Sequence, residues 1–169
     1  TKYTPLLDPA NCGDALLVET RGGVITITLN RPNKFNSLTF PMYTKIAQIL
    51  DEANFDRNIK CVVFKANGAN YCAGNDLSNF MKFEELTDPD VMPLLCEFMS
   101  EHVLARYINS FINFDKPLIA CCHGKVIGVG FTILALFDVV YATEDTTFNA
   151  PFLSTMQGPE ACSSFLFPK

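Results

Sequence analysis

Lys116 to Ala142 reads KPLIACCHGKVIGVGFTILALFDVVYA, and the reading of this stretch decides the fold. Lys116-Pro117 stops the helix before it, because a residue preceding proline is pushed out of the helical region. Leu118-Ile119-Ala120-Cys121-Cys122 is then a continuous apolar run of strand length, as expected of a strand buried on both faces. Gly124 to Gly130 predicts a tight connection, Phe131 to Phe137 a short apolar helix, and Val139-Val140-Tyr141-Ala142 a further strand. Strand, crossover and strand of this kind make an α/β domain with mostly parallel pairing.

The same alternation recurs toward the N-terminus. Val24-Ile25-Thr26-Ile27-Thr28-Leu29 predicts a strand, led in by the turn Gly22-Gly23 and ended by Asn30-Arg31-Pro32-Asn33. From Pro41 the period changes: Met42, Ile46, Ile49 and Leu50 share one helical face, Thr39 is in place to cap it, and the helix should run to about Ala53. Cys61-Val62-Val63-Phe64 predicts another buried strand, broken by Asn67-Gly68-Ala69-Asn70. A second helix is expected over roughly Asp90 to Asn113, with Val91, Leu94, Leu95, Phe98, Leu104, Ile108 and Ile112 on its apolar stripe. The acidic, proline-punctuated segment Phe83 to Pro93 predicts a mobile loop. Residues 1–15, with Pro5, Pro9 and Gly13, lack the layout of a secretory signal and predict a loose lead-in to one domain over 16–169.

Composition narrows the function classes. The 169 residues are 49% hydrophobic and 18% charged, which excludes disorder for the bulk of the chain. A formal net charge of −5 is a poor footprint for a nucleic-acid or anionic-membrane partner, so an anionic ligand must be held locally. No apolar run approaches the ~20 residues of a membrane helix, which predicts a soluble protein. Seven cysteines with no C-x-x-C spacing, mostly among Val, Ile and Leu, predict reduced, buried thiols in an intracellular compartment. With only His102 and His123 beside them, no metal site is expected.

Three stretches carry chemistry. Tyr71-Cys72-Ala73-Gly74-Asn75-Asp76-Leu77 suits a turn that exposes backbone N–H groups, with Asn or Asp capping a following helix. Gly128-Val129-Gly130 opens the expected helix Phe131 to Phe137, so free N–H groups and a positive dipole end favour a developing negative charge. A dinucleotide fingerprint is excluded, because Ile133 stands where its last glycine would be. Gly158-Pro159-Glu160 supplies one carboxylate; in a Gly-Pro loop this is usually a solvated one. Two N–H turns and a carboxylate are nevertheless the parts needed to take a proton from the carbon beside a thioester and hold the enolate. His123 reads as a strand-end structural residue, Asp138 as a backbone tie, and adjacent Cys121 and Cys122 as two thiols on opposite faces of a strand.

Taken together, Ile27-Thr28-Leu29-Asn30-Arg31-Pro32 with Asn36-Ser37-Leu38, then Ala73-Gly74-Asn75-Asp76-Leu77, then Lys116-Pro117-Leu118-Ile119-Ala120 with Gly128 and Asp138-Val139-Val140-Tyr141-Ala142, resemble the crotonase (enoyl-CoA hydratase/isomerase) superfamily over about Leu16 to Lys169. Pro159-Glu160-Ala161-Cys162-Ser163-Ser164 most resembles its peroxisomal-type Δ3,Δ2-enoyl-CoA isomerases. The resemblance implies a ββα superhelix stopping short of the family's C-terminal helices, and an enzyme of fatty-acid β-oxidation acting on 3-enoyl-CoA. It further implies a homotrimer when those helices are present, and a peroxisome, or else a mitochondrion, as the compartment. By the same resemblance Glu160 is the base and acid, and the backbone N–H groups of Asn75 and Val129 form the oxyanion hole. Coenzyme A, which enters as part of the substrate with no separate cofactor, would run along Asn30 to Asn36 and Ala73 to Leu77, meeting Arg31, Lys34, Ala73, Gly74, Asp76, Leu77 and Gly128. The glutamate pair of the family's hydratases falls on Thr132 and Phe152, which cannot activate water, so hydration should be weak or absent. The alternatives are another crotonase reaction, such as thioester hydrolysis, or a non-catalytic acyl-CoA-binding or interaction module.

Overall fold

The structure, a computed structural model, describes residues 7–79, 93 and 97–169. Its main sheet has five strands in the order β1 (Leu16–Arg21), β2 (Val24–Leu29), β3 (Cys61–Ala66), β4 (Leu118–Cys122) and β6 (Val139–Ala142). Only the β1–β2 pair is antiparallel; its register from Leu16↔Leu29 to Arg21↔Val24 leaves the two-residue turn Gly22-Gly23, and both glycines have positive φ, as a type I′ hairpin requires. The other neighbours pair in parallel, as the apolar runs implied.

Helix α1 (Phe40–Phe55) crosses from β2 to β3, and its Met42, Ile46, Ile49 and Leu50 are all buried, as their spacing required. Burying each such side chain contributes about 1.5–3 kcal/mol. Thr39 takes the N-cap position, but its side chain makes no capping hydrogen bond; Pro41 in the first turn lowers the number of N–H groups that need one. Between β3 and β4, residues Ser100–Ala105 form a π-helical turn that continues into α2 (Arg106–Ile112), ending near the expected Asn113. Much of the expected Asp90 start, Met81, Met92, Cys96 and all but Pro93 of the expected mobile loop lie outside the described residues.

Several expectations need correction. Leu16–Arg21 is a strand that its mixed apolar and charged residues concealed, because a hairpin edge strand is exposed on most positions. Residues 9–15 are not loose: they form two 3-10 turns packed on α1, with Cys12 in the core. The connection Gly124 to Gly130 contains strand β5 (Lys125–Ile127), which pairs in parallel with β7 (Thr147–Asn149) in a separate two-stranded sheet. The helix expected at Phe131 to Phe137 starts at Val129 instead: α3 (Val129–Thr132) is one α turn, tightened over Ile133–Leu136 into 3-10 geometry. The thiols are not uniformly buried, since Cys121 and Cys162 are exposed while Cys12, Cys72 and Cys122 are buried. Cys121 and Cys122 do alternate across β4. His123 donates Nε2–H to Gly68 O at 2.9 Å, and Asp138 Oδ2 accepts the Leu118 amide at 2.8 Å, so both are backbone ties. No helix among the described residues is long and apolar enough to cross a membrane.

An aromatic file joins the sheet to the helices: Phe137 and Phe111 flank Phe64, Phe111 meets Tyr107 at 4.9 Å, and Tyr107 meets Tyr43 edge-on at 4.8 Å. Its far end, the Tyr43–Tyr107 pair, reaches the functional cleft.

Candidate active site

The segment after β3 is threaded between two neighbours. Cys72 bridges Val126 of β5 on one side, and Asn75 bridges Leu38, at the approach to α1, on the other. Its amides are accordingly spoken for: Tyr71 donates to His123 O, Cys72 to Lys125 O, Ala73 to Phe35 O, Gly74 to Cys72 Sγ and Asp76 to Leu38 O. Asn75 is the exception. Its N–H has no acceptor among the described residues. The N–H of Val129, first residue of α3, is likewise without one, as geometry demands of an initial helical amide.

Two glycines bring these amides to adjacent turns. Gly74 (φ +88°) and Gly128 (φ +57°, ψ −131°) stand back to back; a Cβ on Gly74 would lie 2.9 Å from Ile127 O and 3.5 Å from Gly128 Cα. Gly128 occupies a conformation essentially reserved for glycine.

Both turns line a cleft of ≈ 680 Å³ together with Tyr43, Ile127, Phe152 and Glu160. Glu160 is held there by a tight reversal in which Ala161 (φ +50°) and Cys162 (φ +58°) are both left-handed and Ser163 donates N–H to Glu160 O at 3.0 Å. Such strain in non-glycine residues persists where the surrounding structure requires it. The carboxylate accepts no hydrogen bond among the described residues, and burial pushes its pKa above the ordinary glutamate range. This Glu in a Gly-Pro loop is thus a half-buried carboxylate and not a solvated one. Burial also pushes the Tyr43 and Tyr107 hydroxyls well above their usual range, each raised further by the nearby Glu160 charge, so both stay neutral. The Cys72 thiol, also buried, is pushed up to about 12 and remains an S–H group at neutral pH, unsuited to nucleophilic attack.

Of the other expected contacts, Ala73, Gly74, Leu77 and Gly128 line the cleft. Arg31 and Asp76 do not: they engage each other at 2.7 Å, and Arg31 Nη1 also donates to Ser37 O. Asp76 is partly buried, which opposes its ionisation, but hydrogen bonds from Ser78, Arg31 and Ser37 outweigh that and hold the carboxyl well below the usual range. The pair therefore stitches the turn after β2 to the segment that carries Asn75. Lys34, in the 3-10 turn Pro32–Lys34, is exposed with no partner among the described residues.

Replacing Arg31 by Met leaves this carboxylate poorly compensated, and we expect a loss of about 2–3 kcal/mol, less than the ~3–5 of a fully buried pair. In a thermal melt this is a fall of roughly 5–10 °C. Asp76 is more acidic folded than unfolded, so its contribution is complete above pH ~4 and is lost as pH falls below that. The melting difference between parent and Arg31→Met should narrow correspondingly in acid.

Sequence reasoning missed Tyr43, which lines the cleft, Tyr107, which packs on Tyr43, and Asn79, which hydrogen-bonds to Asn75. Tyr43 reads as one more apolar residue of α1; the only available signal for Asn79 was its spacing, four residues after Asn75. Thr132, at 0% exposure, is fully buried and its hydroxyl has no partner among the described residues. Among the described residues no three His, Cys, Asp or Glu side chains come together in a metal-binding cluster.

The enoyl-CoA hydratase/isomerase family profile matches residues 24–169. The chain is 41% identical over 158 residues to enoyl-CoA delta isomerase 2 of Rattus norvegicus, covering 91% of this chain and 38% of that protein. It is 40% identical over 154 residues to the peroxisomal enoyl-CoA delta isomerase 3 of Mus musculus, covering 91% and 46%. It spans less than half the length of either relative. The crystal structure of an enoyl-CoA hydratase/isomerase from Pseudoalteromonas atlantica T6c superposes with a TM-score of 0.76 at 32% identity, covering 91% of this chain and 57% of that one. With the family profile matched over residues 24–169 and the fold shared with that crystal structure, the chain belongs to the enoyl-CoA hydratase/isomerase family and has the crotonase fold.

Proposed function

We propose that the chain carries the site of an isomerase that converts 3-enoyl-CoA to 2-enoyl-CoA. The observation that carries the reading is that one half-buried carboxylate, Glu160, and two open amides, those of Asn75 and Val129, line a single cleft. The amides polarise the thioester carbonyl, each contributing about 3 kcal/mol as negative charge develops on its oxygen. Glu160 removes a proton from C2, the C–H electron pair passes into a dienolate, and the same carboxyl returns a proton at C4. The C3–C4 double bond becomes C2–C3, and no electrons leave the substrate.

The lone base favours isomerisation over hydration, since Thr132 and Phe152 offer no second carboxylate to activate water. The isomerase relatives support the substrate class, and the peroxisomal relative supports that organelle as the compartment; breakdown of fatty acids belongs to the same proposal, on family resemblance. Assembly into trimers belongs to the same proposal, on family resemblance. Coenzyme A is placed along the 30–36 and 73–77 segments, with Lys34 as its exposed cation.

The test is the ultraviolet absorbance gained when a 3-enoyl-CoA becomes conjugated. We expect turnover by this chain or by a longer natural form; silence in both, with acyl-CoA binding retained, would convert the reading to a binding module. Because burial raises the Glu160 pKa and the carboxylate is the active form, kcat/KM should fall on the acid side with an apparent pKa above the ~4.3 of an ordinary glutamate. An acid limb at or below that value would remove Glu160 as the base.

A further inference from the structure

Asn79 lies four residues beyond the Asn75 oxyanion amide, is 0% exposed and does not line the cleft. Its hydrogen bonds nevertheless determine how Asn75 is oriented. The Phe40 backbone N–H donates to one terminal atom of Asn79 at 3.2 Å, so that atom is the oxygen. The other is then the NH2, and it donates to Leu38 O at 2.9 Å and to the Asn75 side chain at 2.7 Å. Because it receives that donor, the Asn75 atom must be Oδ1, and the neutral Tyr43 hydroxyl donates to it as well, at 3.3 Å. The remaining Asn75 group, its NH2, has no acceptor among the described residues, and Asn75 lines the cleft. A backbone amide at Phe40 thus sets, through one buried carboxamide, the orientation of another.

We propose that Asn79 is a positioning residue for the oxyanion turn, holding the Asn75 carboxamide so that its NH2 serves the bound acyl thioester as a donor beside the two backbone amides. This rests on the isomerase reading above and adds a side-chain donor to it. The consequence is specific. Asn79→Asp keeps the volume and still accepts from Phe40, but it faces Asn75 with an acceptor; the Asn75 carboxamide turns over, gives its NH2 to the new carboxylate and withdraws it from the cleft.

The probe is hexanoyl-CoA carrying 13C at the thioester carbonyl, which binds but cannot isomerise. Difference infrared spectroscopy reads the carbonyl stretch, and titration calorimetry reads affinity. We expect the parent to shift the bound carbonyl to lower frequency, and Asn79→Asp to lose at least half of that shift with Kd changed less than about threefold. Turnover of a 3-enoyl-CoA should fall roughly tenfold to a hundredfold in kcat with little change in KM, in keeping with the ~100-fold cost of an ångström's misplacement. Tyr43→Phe, which leaves Asn79 in place, should show a smaller loss in the same direction and keeps the test open if Asn79→Asp does not fold. In an Asn75→Ala background, Asn79→Asp should cost no further kcat, because the residue through which it acts is gone. A shifted carbonyl in the parent that survives Asn79→Asp and Tyr43→Phe, or kcat losses that multiply in the double variant, would overturn the positioning role alone. An unshifted carbonyl in the parent would overturn the oxyanion reading beneath it.

Discussion

Glu160→Gln should lower isomerase turnover by about a thousandfold or more while leaving acyl-CoA affinity within a few-fold of the parent. The amide keeps the size of the side chain and its place in the cleft but cannot take a proton from C2, and a positioned general base is worth about 10²–10⁴ in rate. The same substitution should not destabilise the fold at pH 7. Burial raises the Glu160 pKa, so ionising this carboxyl costs the folded state stability as pH rises above the ~4.3 of the unfolded chain. A neutral Gln removes that cost, and the variant should melt at or above the parent temperature at pH 7, with the advantage gone in acid. Conjugation assays, titration with a saturated acyl-CoA and a thermal melt separate the three effects. Undiminished turnover, or parallel losses of turnover and affinity, would count against the carboxylate as the reacting group.

Gly74→Ala should disable the site by a different route. The added methyl meets Ile127 O at 2.9 Å in a backbone conformation (φ +88°) that alanine disfavours, and the atom it meets is backbone next to Gly128. The two turns must separate, carrying the Asn75 and Val129 amides apart. Loss of one donor's alignment costs about 10²–10³ in kcat, and the conformational strain about 1–3 kcal/mol in stability. Gly22→Ala is the control: φ is +61° there, but a Cβ would have nothing within 4 Å, in a hairpin turn away from the cleft. It should lower the melting temperature and leave turnover alone. If Gly74→Ala affects activity no more than Gly22→Ala does, the close approach of the turns has no part in catalysis.

The contrast between readable and unreadable parts follows from the range of the forces involved. Strands β2, β3 and β4 and helix α1 were legible because each is buried on a face set by its own periodicity, and Ile27, Leu50, Val62 and Leu118 satisfy that pattern without reference to the rest of the chain. Strands β1, β5 and β7 were not, being short or exposed and paired by backbone hydrogen bonds with distant segments. The residues of the site were legible singly: Gly74-Asn75, Gly128-Val129 and Glu160 each stand in a recognisable turn.

Their convergence was not. Periodicity and turn chemistry by themselves determined an α/β chain with one candidate carboxylate and two glycine turns, and the resemblance of those motifs implied the family. Only the tertiary structure decided that Glu160 is half-buried in the cleft, that Arg31 is occupied by Asp76, and that Asn79 and Tyr43 govern Asn75. The reason is physical: periodicity and turn chemistry act over a few residues, whereas a pKa, an ion pair or an amide's orientation depends on groups 32 to 45 positions apart in the chain, such as Tyr43 with Asn75 or Arg31 with Asp76, that folding alone brings within hydrogen-bonding distance.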